Sequence, residues 1–137
     1  MSDHLYSVET AKSPAEFARD FGTVVNKYGF IVHNETHMDM AHLFGEHGAE
    51  VAEDFDMHMI QICKPEKSAK SLQANAERAI LLPKFVVVFS KNNTTQVRFF
   101  YFSEENIRAM VDDDVFPGSL AQTYKKIISM IDETISS

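Results

Sequence analysis

Apolar and polar positions along the chain switch repeatedly between two spacings. Residues 4–10 (HLYSVET) alternate, with Leu5 and Ser7 on one side and Tyr6 and Val8 on the other, which predicts a short strand. In "SPAEFARDFGTVVNKYG" the apolar set Phe17, Phe21, Val24, Val25 and Tyr28 recurs at helical spacing. Ser13 as N-cap, Pro14 in the first turn and Glu16 closing a capping box mark its start, and Gly29 its end. "FIVHNET" reads as a strand, "HMDMAHLFGEHG" as a short helix closed by Gly48, and the acidic "AEVAEDFD" as a loop. "DMHMIQIC" is the next strand. Pro65 then opens a helix to about residue 78, with Ala69, Leu72 and Ala76 on its apolar side. "LLP" breaks that pattern ahead of two strands, "KFVVVFS" and "TQVRFFYF", joined by the hairpin signal "NNTT". Ser103 caps a helix beginning "EENIRAM". After "DDDVFPG", read as a solvated turn, a last helix covers 119–134 with Leu120, Tyr124, Ile127, Ile128 and Ile131 on one stripe.

The resulting order is β-α-β-α-β-α-β-β-α-α. It predicts an α+β fold, a mainly antiparallel sheet with helices packed on one face, as one domain over residues 1–137. "FVVVF" and "VRFFYF" are apolar on both faces, yet helices on one side of the sheet cover only one. A second copy of the chain is the simplest cover for the other, so a homodimer is expected.

Composition sharpens this picture. Apolar residues make up 45% of the chain and include eleven phenylalanines, enough for a packed core. The net charge is −7 and Lys and Arg form no block, which disfavours a nucleic-acid partner. No apolar leader and no run long enough to span a bilayer is present, so the expectation is a cytoplasmic protein with no membrane partner. A single cysteine excludes a disulfide within the chain.

Candidate chemistry concentrates in the middle of the chain. His37, Met38, Asp39, Met40 and His42 form one cluster, His47 follows, and Met57, His58, Met59 and Cys63 form another. Imidazole, thioether and thiolate are competent ligands for a transition metal or haem iron. The spacing matches no established metal motif, and each residue also has a plainer reading. Met57 and Met59 suit core packing, and His42 with Glu46 suits a surface pair. His58 stands out because its strand face also carries Ile60 and Ile62. Cys63 precedes a helix start, where a thiol enzyme would place a nucleophile. His58 lies on the opposite strand face from it, which leaves His4 or His33 as its base. Lys64, Lys67 and Lys70 flank the same helix start and suit either an anion site or a solvated face balanced by Glu66.

Cys63-Lys64-Pro65, the helix after it, Leu81-Leu82-Pro83 and the apolar strand 85–89 follow one another in a recognisable order. Over residues 21–90 the chain resembles the domain of unknown function 302 family, in which a strand ends in a Cys-x-Pro or Gly-x-Pro step. Many members carry a cysteine directly after the second proline, where this chain has Lys84. The resemblance implies a small α+β fold that tends to dimerise, and it implies no activity.

The functional expectation is a small homodimeric ligand-binding protein in a redox or sensing role. Non-covalent haem or a transition metal would be held by His58, His42 and His47, with Lys64 assisting. The alternatives are a structural or regulatory dimer without cofactor, and a thiol enzyme using Cys63.

Overall fold

In the computed structural model, which describes residues 4–137, the alternating segments form one five-stranded antiparallel sheet. The elements are β1 (Leu5–Thr10), α1 (Pro14–Lys27), β2 (Ile31–Val32), α2 (Met40–Glu46), β3 (Met57–Cys63), α3 (Pro65–Ala74), a 3-10 helix (Ala76–Leu81), β4 (Lys84–Lys91), β5 (Thr94–Phe100), α4 (Glu104–Met110) and α5 (Phe116–Ser136). The strand order is β1-β5-β4-β3-β2. The β4–β5 hairpin turns on Asn92 and Asn93, both left-handed at φ 53° and 62°. Asparagine tolerates that conformation, and two such residues match the twist of the flanking strands.

Period-two alternation sends Ile60, Ile62, Val86, Val88, Val97 and Phe99 to one face. Phe17, Phe21 and Val25 of α1 and Ile127, Met130 and Ile131 of α5 close over it, all fully buried. The capping box of α1 forms as expected: Ser13 Oγ accepts from the Glu16 N–H and Glu16 Oε1 accepts from the Ser13 N–H. The opposite face carries Leu5, Phe85 and Phe100, which are exposed, and Met57, Met59, Val87 and Phe89, which are half-buried. No helix of the described residues is long and apolar enough to cross a membrane.

Three boundaries differ from the sequence expectation, each for a local reason. The strand expected over 30–36 is reduced to Ile31–Val32. Asn34 substitutes for a strand residue: its side-chain N–H donates to the Met59 carbonyl (2.9 Å) and its Oδ1 accepts from the Gln61 N–H (2.8 Å). The helix expected to reach residue 78 stops at Ala74 because Asn75 is extended (φ −158°) and caps the 3-10 helix that follows. The last helix starts at Phe116, not at residue 119, because Asp113 Oδ1 accepts from the Val115 and Phe116 N–H groups (2.9 and 2.8 Å).

Phe21 is completely buried between α1 and the rest of the core. Phe21→Ala should therefore destabilise the protein by about 3–5 kcal/mol, read from the urea midpoint at unchanged m-value.

Candidate functional site

The histidines proposed as ligands fall in different environments. His58 occupies the core face of β3, opposite Val88, and is only 7% exposed. Its Nδ1 is buried without a hydrogen-bond partner, and the nearest carboxylate oxygen, Asp56 Oδ1, lies 3.9 Å away. A polar atom in that position is costly unless something meets it. His42 stands on α2 with its side chain exposed and its Nε2 3.7 Å from Glu46 Oε1, the surface pair anticipated from their spacing. His47 is the exposed C-cap residue of the same helix. Among the described residues no group of three or more His, Cys, Asp or Glu side chains is placed to hold a metal ion. The candidate bases for Cys63 are dispersed too. His4 precedes β1, which β5 and β4 separate from β3. His33 is exposed, with its N–H on the Gln61 carbonyl.

A second group converges more tightly. Cys63 ends β3, Lys64, Lys67 and Ser68 lie at the start of α3, Lys84 opens β4, and Ser119 and Thr123 sit on the first turns of α5. Together with Phe30, Leu81 and Leu120 they line a small cavity of about 40 Å³. Lys67 Nζ donates to Thr123 Oγ1 at 2.6 Å, Lys84 Nζ donates to the Leu82 carbonyl at 3.0 Å, and Cys63 Sγ lies 3.4 Å from Ser68 Oγ. Lys64 Nζ rests 5.5 Å from the centre of the Phe30 ring.

The electrostatics of this cavity are one-sided. Among the described residues, no Asp or Glu lines it. Burial pulls Lys84 down to about 8; Cys63 opposes that shift and Lys67 adds to it. Burial also lowers Lys67, and Lys64 contributes in the same direction. Ammonium groups taken out of water without a counter-charge are unfavourable. A small oxyanion would supply that counter-charge, and the Ser68, Ser71 and Ser119 hydroxyls around the cavity are suited to donate to it. Lys70, by contrast, points to solvent beside Glu66 at 3.8 Å, as a solvated face requires.

The fourth cation on the wall, Arg78, is already committed. Its Nε and Nη2 donate to the two oxygens of Asp113 at 2.7 and 3.0 Å, and its guanidinium lies over the Phe116 ring. Arg78, then the Phe116 N–H, Asn75 and the Val115 N–H hold the Asp113 carboxyl far below the usual carboxylate range. The "DDD" segment is thus not a purely solvated turn, since the Asp113 side chain is only 6% exposed. Lys84 was visible in the sequence only as a departure from a family cysteine. In the structure its parity with Val86 and Val88 puts it on the core side, which a strand apolar on both faces does not reveal from sequence alone.

These features define an α+β protein with an open-faced antiparallel sheet and a cationic cavity where β3, α3, β4 and α5 meet. The family model described as "Domain of unknown function DUF302" matches residues 6–134, and the chain belongs to that family. The fold is similar to the crystal structure of an uncharacterized conserved DUF302 protein from Bacillus stearothermophilus. The TM-score is 0.75 at 20% identity, covering 96% of this chain and 98% of that one. No functionally curated protein matches the sequence.

The Arg78–Asp113 pair makes stability pH-dependent with a definite sign. A carboxyl depressed in the fold stabilises above its unfolded value and loses that contribution as pH falls through its folded value. Arg78→Met should therefore lower Tm most above about pH 4, the ordinary aspartate range. The difference from the parent should shrink on further acidification, which thermal unfolding across that interval would record.

Proposed function

We propose that this protein is a small homodimeric ligand-binding protein whose ligand places an anionic group in the Lys64–Lys67–Lys84 cavity. The observation that carries the reading is the cavity wall itself: half-buried lysines, several hydroxyls and no carboxylate. The first turn of α3 adds favourable N–H dipoles on the same side, as its N-cap Lys64 makes no side-chain cap.

Calorimetric titration with sulfate, phosphate and acetate tests this directly. Lys84→Met should abolish the binding and, by removing a buried charge, raise the Tm of the free protein at pH 7. The pH dependence follows from Lys84. Its folded value of about 8 lies below the ordinary 10.5, so the unfolded chain holds a proton that the fold releases. Stability of the free protein should rise between those two values. Anion affinity should fall across the same range, and binding near pH 9 should take up a proton, measured as a buffer-dependent heat.

The dimer reading is supported by the uncovered sheet face. Met57, Met59, Val87 and Phe89 form a contiguous apolar strip on paired strands, the surface a second copy would cover. Sedimentation equilibrium should return twice the 15.5 kDa chain mass, and Phe89→Glu should return a folded monomer.

Haem as the ligand is a second reading, favoured by the orphaned Nδ1 of His58. His58 would be the axial ligand, with His42 or His47 of either subunit as candidates for the second, and the lysines would meet the carboxylates. Haemin titration should then produce a Soret shift in the parent that His58→Leu abolishes while the dimer persists. An unchanged shift in that variant removes His58 from the site.

A further inference from the structure

The cationic cavity does not stand alone. Lys84 and Leu81 also form part of a second, open depression of about 280 Å³, whose other walls include Leu5, Ile80, Phe85, Val87 and Phe100. The register explains why these residues meet. Leu5 pairs with Phe100, and Phe99 pairs with Val86, so Leu5, Phe100 and Phe85 share one end of the uncovered face. The 3-10 helix brings Ile80 to the same end. Ile80 and Phe100 are 66% and 61% exposed, high values for large apolar side chains lying together. The depression carries no carboxylate among the described residues. Its other cation, Arg98, is engaged with the Gln96 side chain (2.9 Å) and the Val97 carbonyl (3.0 Å) and lies over the Phe89 ring. A half-buried cation on one side and an uncovered apolar surface on the other, with Lys84 and Leu81 common to both, is the complement of a molecule that has an anionic head and an apolar body.

We propose that the ligand of this protein is a single-chain anionic amphiphile, with its head at Lys84, Lys67 and Lys64 and its chain along the Leu5–Ile80–Phe85–Phe100 groove. This rests on the anion reading of the cavity and adds the chemical class of the ligand. The groove runs from Val87, which it shares with the proposed dimer strip, to Phe85 and Phe100 at the end of the sheet face opposite the Met57–Phe89 pair. The head is an oxyanion in either of two forms, carboxylate or phosphate monoester, which the lysines and hydroxyls would both accept.

The test is a chain-length series on the full-length protein, below micelle concentrations. Acetate, butanoate, hexanoate and octanoate are titrated beside octyl phosphate, octanol and octyltrimethylammonium. Affinity should rise roughly fourfold for each methylene that the groove buries, and octanol and the cation should bind far more weakly than octanoate. Octyl phosphate tighter than octanoate assigns the phosphate head, and the reverse assigns the carboxylate. Ile80→Ser, at an exposed position, should flatten the series while leaving sulfate binding unchanged, which also shows the variant to be folded. Lys84→Met should weaken every anion. Anions that bind with no dependence on chain length overturn the amphiphile and leave the cavity reading standing. Octanol binding as well as octanoate overturns the head assignment, and no binding by sulfate, acetate or octanoate overturns both readings.

Discussion

The carboxylate of Asp113 is the fixed point on which the candidate site depends. It accepts from Arg78, from Asn75 and from two main-chain N–H groups at the start of α5. Those bonds tie the end of α3 and the adjoining 3-10 helix to the α5 N-terminus, which is distant in sequence. The side of α3 bearing Lys67 and Ser71 is held against the side of α5 bearing Ser119 and Thr123, and the cavity is the gap between them. Because the Asp113 side chain is almost fully enclosed, loss of Arg78 would strand its charge. The same bond therefore governs local stability and the shape of the cationic wall.

The contrast between the two lysine environments follows from that geometry. Lys70, one helical turn beyond Glu66, is exposed and pairs with that carboxylate on the surface. Lys84 begins a strand whose alternation points it inward, between the 3-10 helix and α3, where burial lowers its affinity for a proton. An ammonium group held there at a cost to folding is the kind of local conflict that binding sites retain. The one-sided helix cover of the sheet adds the second element, an apolar face left open beside that charge. Cation and apolar surface meet only because the 3-10 helix folds back after Asn75 and carries Leu81 and Ile80 to the β4 entrance.

Much of the architecture was present in the sequence. Ser13, Pro14 and Glu16 specify the start of α1 through bonds made within four residues, and Asn92 and Asn93 specify the hairpin through their own backbone preferences. The alternation of β3 put His58, Ile60 and Ile62 on one face without reference to any neighbour, whereas β4 and β5, apolar on both faces, left open which side the core would take. Such signals are local, so they survive without knowledge of the rest of the chain. What required the tertiary structure was every feature made by residues far apart. Asn34 replacing a strand, Asp113 starting the last helix ahead of the expected residue 119, and Lys84 sharing a cavity with Lys67 and Thr123 all depend on which segments the sheet order brings together. That order places the first strand beside the last, a pairing that no periodicity within a single segment encodes.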